Sequence, residues 1–256
     1  MNRKALSRSD KAIDDESGEN RGEKEEILTR TTEGVNILLG DPRKAIVKLS
    51  IPVIVALSVQ TVYSLTDTFW VAGLGADALA AVGFSFPFFL VQMAVTSGLG
   101  VGGGSAISRR IGARDKAGVD NVALHTFVIM LTLTVALTAF GLVFLRNLFM
   151  YSGAGNTTEL GVEYSRVIFG GSFVFFFTNV ANSILRSEGD SKRAMKAMIL
   201  GSGLNIVLDP IFIYILGLGV TGAALATVIS YASSGLLMFY WFFIKKYLCF
   251  FQISFF

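Results

Sequence analysis

Long apolar runs separated by short charged segments make up the chain from about residue 45 onward. Runs of about 20 apolar residues are long enough to cross the hydrocarbon core of a membrane as helices. The pattern therefore predicts an all-α polytopic membrane protein, a six-transmembrane-helix bundle. The predicted spans are residues 44–71, 79–108, 122–145, 164–185, 194–216 and 220–244.

The two ends of the chain do not follow this pattern. Residues 1–38 are polar, charged and poor in aromatic side chains, which predicts a disordered cytoplasmic tail. They contain no apolar stretch of the kind that a secretory signal needs. Residues 247–256 are apolar but too short to span, so they form an interfacial foot, the start of a further helix or a mistranslated end. The membrane domain is expected to occupy residues 39–246.

Composition supports a membrane protein and argues against several other classes. Of 256 residues, 52% are hydrophobic and 16% are charged, with a mean hydropathy of +0.59, whereas soluble domains carry about 25% charged residues. The single cysteine, Cys249, can form no intrachain disulfide and fits no metal-ligand spacing. We find no pairing of nucleophile and base and no phosphate-binding loop, so we expect neither an enzyme nor an organic cofactor. The basic residues lie at helix ends, which argues against a nucleic-acid partner.

Basic residues indicate the orientation of the spans. Loops on one side of the predicted bundle carry an excess of lysine and arginine: Arg43, Lys44, Lys48, Arg109, Arg110, Arg114, Lys116, Arg186, Lys192, Arg193, Lys196, Lys245 and Lys246. The other side has Arg146 and Arg166. Because cytoplasmic loops are enriched in basic residues, both termini are predicted to be cytoplasmic, in a multi-pass protein of the cell membrane surrounded by lipid.

Two acids, Asp67 and Asp209, lie inside predicted spans, whereas the other acids beyond the tail fall in loops or at helix edges. Ionisable residues within spans usually face a cavity or the bundle interior and mark a substrate or ion path. Asp67 lies eight residues before Gly75, and Asp209 lies eight residues before Gly217. Both acids are therefore expected about 12 Å below the outer end of the bundle, at about 1.5 Å per residue.

Further oxygen-bearing side chains fall at this level or on the same helix faces: Gln60, Tyr63, Asn205 and Thr227. Hard cations such as Na⁺ prefer oxygen ligands, and a carboxylate in a dry cavity takes up a proton more readily. The spacing therefore predicts a coupling site for H⁺ or Na⁺ at the two acids. The alternative is that Asp67 lies at the membrane interface and Asp209 caps a helix that Pro210 disturbs.

Proline and glycine residues suggest where the spans bend and pack. Pro210 removes a backbone hydrogen bond beside Asp209, and Pro52 lies in the span that carries Asp67. Both are candidate hinges, and the alternative for each is a static kink. The glycines of SGLGVGGGSAISRR, residues 97–110, contain a match to G-x-G-x-x-G, but inside a span they favour close helix packing over nucleotide binding.

Several of these stretches also resemble a known family. IPVIVALSVQTVYSLTDTFWVAGLGADALAAVGFSFP, ANSILRSEGDSKRAMKAMILGSGLNIVLDPIFIY and GVTGAALATVIS are similar, in the same order, to segments of the multidrug and toxic compound extrusion (MATE) transporters. The likeness is greatest to the prokaryotic branch named for DNA-damage-inducible proteins. It covers about residues 38–245, which correspond to the N-terminal six-helix lobe of that family.

The resemblance implies roles for particular residues. It implies a cation site at Asp67, Asn205, Asp209 and Thr227, which would be the ligands if the ion is Na⁺. It implies polar cavity-lining positions at Gln60, Tyr164 and Asn182, and we place Tyr63 with them by its spacing. It also implies that the first helix bends at Pro52 on protonation.

The family has twelve helices in two lobes, whereas this chain has one lobe. The expected function is the N-terminal lobe of a cation-coupled antiporter, driven by H⁺ or Na⁺, that exports small cationic or amphipathic organic molecules. A second six-helix lobe or a second copy of the chain is an expected partner. The alternatives are a truncated, non-transporting fragment, and a flippase for lipid-linked precursors from the same superfamily.

Overall fold

The computed structural model describes residues 42–244, so the predictions for residues 1–38 and 247–256 lie outside the described residues. Between them the chain forms helices joined by short turns. In chain order these are α1 Pro42–Ala72, α2 Ala76–Gly112, α3 Lys116–Tyr151, a 3₁₀ turn Gly155–Thr157, α4 Thr158–Gly170, α5 Ser172–Ser187, α6 Ser191–Pro210, a π-helical turn Ile211–Ile215, α7 Gly219–Phe239 and a second π-helical turn Tyr240–Ile244.

Six spans are present if the bent pair of α4 and α5 is taken as one. Five helices are long and apolar enough to cross a membrane, and the segments Gly155–Gly170 and Ser172–Ser187 pass together with a bend of 52°. The predicted fourth span is therefore present as a bent pair of helices. The break falls at Gly170 and Gly171, and glycine weakens a helix because it has no side chain to restrict the backbone.

The predicted fifth span is also irregular, at Pro210. The α-helical pattern ends there, and the chain continues as a π-helical turn in which the Leu216 amide donates to the Ile211 carbonyl oxygen at 2.8 Å. α7 packs directly on this turn, because Gly222 has no Cβ. A Cβ at that position would lie 2.6 Å from the Phe212 carbonyl oxygen. Gly222 therefore sets how closely α7 approaches the segment that follows Asp209.

The glycine-rich stretch of α2 packs against α5, as its composition predicted. A Cβ on Gly100 would lie 3.0 Å from the Ser183 Cβ, and the Ser183 hydroxyl donates to the Gly100 carbonyl oxygen at 2.8 Å. About two turns further along α2 and one turn further along α5, the Ser108 hydroxyl donates to the Ser187 carbonyl oxygen at 3.0 Å. Small residues thus let the two backbones approach closely, and the nucleotide-binding alternative is not needed.

α1 is the most weakly embedded span. Its buried residues are Ala45, Pro52, Ala56 and Val71, and its main neighbour is α6. At its C-terminal end the Tyr214 hydroxyl donates to the Trp70 carbonyl oxygen at 2.6 Å, which ties α1 to the π-helical turn. The helix runs unbroken through Pro52. The position of α1 therefore depends largely on one interface, the one that carries both acids.

Candidate functional site

Asp67 on α1 and Asp209 on α6 face each other across this interface. Their carboxyl groups lie close enough to interact directly with each other. Asp209 is fully buried, with 0% of its surface exposed, and Asp67 is half-buried. The structure therefore brings together the two acids that the sequence placed at equal depth.

The two carboxyl groups lack hydrogen-bond donors. Asp67 Oδ1 and both carboxyl oxygens of Asp209 are buried with no donor among the described residues. Ionised carboxylates only accept hydrogen bonds, so a bond between these two requires one proton. Leaving two bare charges side by side in a buried site is costly. One proton between the oxygens, or one monovalent cation, lowers the charge of the pair from −2 to −1 and removes the repulsion between two bare carboxylates.

Oxygen atoms from the neighbouring turns extend this acceptor-rich site. The Asn205 Nδ2 donates to Thr227 Oγ1 at 3.3 Å, which joins α6 to α7. In the part of the chain that the structure describes, Asn205 Oδ1 and Ser230 Oγ are buried without a hydrogen-bond partner. Carboxylate, amide and hydroxyl oxygens form the ligand set that suits a hard cation. Within residues 42–244 no three or more His, Cys, Asp or Glu residues cluster as a transition-metal site would require.

A cavity of about 260 Å³ opens beside the acid pair, among α1, α2, α5, α6 and α7. Three of the predicted lining residues, Gln60, Tyr63 and Asn182, line it. Asn205 and Thr227 line it as well, so the acceptor-rich site borders the cavity. Asp67 and Asp209 are not among the lining residues, but Tyr63 in the cavity wall lies close enough to both acids to interact with them electrostatically.

Tyr164 occupies a different place from the one expected. It does not line the cavity but packs against the small cluster of Val71, Ile213 and Ala223. It still lies close enough to both Asp67 and Asp209 to interact with them electrostatically. Tyr164 thus belongs to the surroundings of the acid pair.

The opposite end of the lobe carries two charged residues that were predicted to lie in a loop. Arg186 lies in the last turn of α5 and lines the cavity. Glu188 caps α5 and is 2% exposed, and its Oε2 has no hydrogen-bond partner among the described residues. Burial raises the pKa of Glu188 well above its usual range; nearby Asp190 and Asp120 raise it further, and Arg193 opposes them.

A signal for Arg186 was present in the sequence. Asn179, Asn182 and Arg186 are spaced three and four residues apart, which places them on one face of a helix. Counting Arg186 only as a basic loop residue hid this alignment. Glu188 had no comparable signal, because its burial follows from the turn between α5 and α6, where Gly189 adopts a φ of 81°.

Comparison with known proteins identifies the family. The MatE family model matches residues 52–211. The FAD transporter of Shewanella oneidensis is 32% identical over 194 residues, which cover 73% of this chain and 43% of that protein. The multidrug export protein MepA of Staphylococcus haemolyticus is 31% identical over 202 residues, covering 78% of this chain and 44% of that protein.

A solved structure extends the likeness to the fold. An outward-facing multidrug resistance MATE family transporter of the MOP superfamily superposes with a TM-score of 0.83 at 55% identity, covering 86% of this chain and 49% of that one. The chain therefore belongs to the MATE family and is a multi-pass membrane protein. It spans about half the length of the relatives it matches.

Proposed function

We propose that this chain is one lobe of a cation-coupled antiporter that exports small cationic or amphipathic organic molecules. The coupling ion is H⁺ or Na⁺, held by Asp67 and Asp209 with Asn205 and Thr227 beside them. Substrate occupies the neighbouring cavity. The relatives support the class of activity, since one is described as a FAD transporter and another as a multidrug export protein.

One observation carries the proposal, the buried pair of acids without hydrogen-bond donors. Structural carboxylates inside proteins normally accept hydrogen bonds from amides or pair with a base. Here three buried carboxyl oxygens, one on Asp67 and two on Asp209, have neither partner among residues 42–244. Such an arrangement is stable only with a bound proton or cation, which is the property that a coupling site needs.

The position of the pair offers a route from cation binding to movement. Two ionised carboxylates repel each other, whereas a shared proton or cation draws them together, so binding changes the force between α1 and α6. α1 has few other contacts to hold it. We propose that it moves about Pro52, with the irregular backbone after Pro210 yielding on the α6 side. A cation drives export only by binding one conformation more tightly than the other.

Dye efflux from cells expressing the chain tests the proposal. Tetramethylrhodamine and its cationic methyl ester serve as substrates, and Asp209→Asn is compared with Asp77→Asn, which makes the same chemical change at an exposed position. We expect wild type and Asp77→Asn to lower dye accumulation and Asp209→Asn to lose most of this effect. Undiminished pumping by Asp209→Asn would reject the coupling role.

The shared length with the relatives favours a second candidate, a half-transporter. The chain covers 43% to 49% of the relatives it matches. Transport would then need a second six-helix lobe or a second copy. Light scattering of the purified chain, expressed alone, measures whether two copies assemble. A monomer that regains efflux only on co-expression with a second lobe would favour the half-transporter over a self-sufficient pump.

A further inference from the structure

The turn between α2 and α3, residues 113–115, holds an arginine in a backbone conformation that normally belongs to glycine. Among the described residues seven have a positive φ, and six of them are glycines. The seventh is Arg114, with a φ of 57°. This left-handed conformation is unfavourable for a residue with a Cβ, and glycine usually occupies it where a helix ends.

The backbone of the turn does not explain the arginine. The Arg114 amide donates to the Ile111 carbonyl oxygen, and the Asp115 amide donates to the Arg110 carbonyl oxygen, both at 3.0 Å. These two bonds need a left-handed residue at position 114 but use no atom of its side chain. Glycine would make the same turn with less strain. The presence of arginine therefore indicates that its side chain has a use.

The turn and the helix ends beside it carry more basic than acidic groups. Residues 109–120 contain four basic and two acidic residues. Asp115 accepts a hydrogen bond from the Arg110 guanidinium at 2.7 Å. Asp120 lies close enough to Lys116 to interact with its charge. Each acid is thus matched by one basic residue, and two arginines are left over.

These two arginines are Arg109, in the last turn of α2, and Arg114. Both are exposed, and within residues 42–244 the side chain of neither takes part in an ion pair or a hydrogen bond. A guanidinium carries five N–H donors in a planar fork that matches the oxygens of a phosphate group. An arginine that contacts only water would not justify the strained backbone at position 114. The acceptors are therefore expected to come from outside the chain.

The surroundings of the turn indicate which anion is available. Val101 lies about 12 Å along α2 from Arg109, and Leu124 lies about 12 Å along α3 from Lys116. The two side chains are 70% and 53% exposed, as apolar groups that face lipid chains are. The basic residues predict that this surface of the bundle is cytoplasmic, and cytoplasmic leaflets carry anionic lipids. A phospholipid beside α2 and α3 places its phosphate at the level of the turn.

We propose that the turn between α2 and α3 binds the phosphate group of an anionic phospholipid. Arg114 and Arg109 hold this group through charge-assisted hydrogen bonds, while the acyl chains lie against the exposed apolar side chains of α2 and α3. The surface is separate from the cavity and from the acid pair. The inference therefore does not depend on the proposed function.

Native mass spectrometry of the full chain, released from detergent micelles, measures this binding. Phosphatidylglycerol and phosphatidylcholine with the same acyl chains serve as probes, because both contain a phosphate but only the first has a net negative charge. We expect phosphatidylglycerol to bind about tenfold more tightly, the usual effect of a charged hydrogen bond. Equal affinities, or a preference for phosphatidylcholine, would overturn the inference.

Variants then locate the preference on the turn. Arg114→Gly removes the guanidinium and relieves the backbone, so it should lose most of the preference while its Tm in detergent alone equals or exceeds that of wild type. Arg114→Lys should keep part of the preference. Arg166→Gln, which removes an exposed charge on α4, should leave it unchanged. A preference that survives in Arg114→Gly would overturn the assignment, and so would a lower Tm, because it would show a structural role for the side chain.

Thermal unfolding distinguishes a lipid from a free anion. A ligand that binds the folded chain raises its Tm, so phosphatidylglycerol should raise the Tm of wild type more than phosphatidylcholine does. This difference should be absent in Arg114→Gly. Inorganic phosphate at millimolar concentration should act equally on both proteins. If it instead raises the Tm of wild type alone, and by as much as phosphatidylglycerol does, the turn binds a soluble anion and the lipid assignment is wrong.

Discussion

Replacing Asp209 by asparagine should stabilise the protein, although the residue is buried and proposed to be essential for coupling. The side chain keeps its shape, one of two facing charges disappears, and the new amide can donate to Asp67, whose buried Oδ1 has no donor. Two unit charges about 4 Å apart at an effective dielectric constant of about 20 repel by about 4 kcal/mol. The new hydrogen bond contributes about 1 kcal/mol more.

The gain in stability of Asp209→Asn over wild type should depend on pH and on the Na⁺ concentration. Wild type can relieve the repulsion between its two carboxylates by binding a proton or Na⁺. At high pH without Na⁺ the variant should be more stable by up to about 5 kcal/mol, the sum of the relieved repulsion and the new hydrogen bond, which corresponds to a rise in Tm on the order of 10 °C for a chain of this size. At low pH, or in high Na⁺, the difference should shrink to within about 1 kcal/mol, the value of the hydrogen bond alone.

Thermal unfolding in detergent, followed by size-exclusion chromatography with fluorescence detection, measures this difference. The control is Asp77→Asn, which removes an exposed carboxylate from the first turn of α2. It should show no gain that depends on Na⁺. A variant at position 209 that is less stable than wild type at high pH, or whose gain ignores both pH and Na⁺, would refute the interpretation of the pair.

Three further substitutions test other parts of the structure by the same unfolding assay. Burial raises the pKa of Glu188, so the contribution of this residue to stability is present below its unfolded pKa and is lost as pH rises through its folded pKa. Glu188→Gln should therefore be more stable than wild type at alkaline pH. Curves of Tm against pH that run parallel for the two proteins would contradict this. Gly222→Ala should lower the free energy of unfolding by about 1–3 kcal/mol, because a Cβ there would lie 2.6 Å from a backbone carbonyl oxygen. Gly203→Ala, where a Cβ would meet nothing within 4 Å, should raise it by about 0.5–1 kcal/mol. Equal effects of the two substitutions would show that the close contact at Gly222 is absent. Thr227→Val should lower the free energy of unfolding by about 1–3 kcal/mol, because it leaves the buried Asn205 amide without its acceptor. An unchanged Tm would show that this hydrogen bond is not formed.

Much of the membrane architecture could be predicted from the sequence, because apolar runs and turn glycines report directly on spans. The meeting of Asp67 and Asp209 was also predictable, since two acids at equal depth on α1 and α6 need only those helices to be neighbours. The bend at Gly170 and Gly171 was missed because the apolar run continues through it. Hydropathy measures how lipid-compatible a segment is and carries little information on where its backbone turns.

The chemistry of the cavity was less predictable, because it depends on which helix faces turn inward. Arg186 was counted with the basic loops, although its spacing from Asn182 placed both on one helix face. Tyr164 was expected in the cavity wall but packs beside the acid pair, a difference that the bend between α4 and α5 makes possible. A basic residue near the end of a span can either set the orientation of the span in the membrane or contact a substrate. The position of the neighbouring helices decides between these two roles.

Infrared difference spectroscopy tests most directly whether the two acids hold a cation between them. A protonated carboxyl group has its own carbonyl stretching band, which disappears when the proton is lost or displaced. In membranes without Na⁺ we expect one such band that Na⁺ or high pH removes and that is missing in both Asp67→Asn and Asp209→Asn, since either substitution destroys the shared site. A band that persists in both variants, or that neither Na⁺ nor pH affects, would contradict the presence of a coupling ion at this pair.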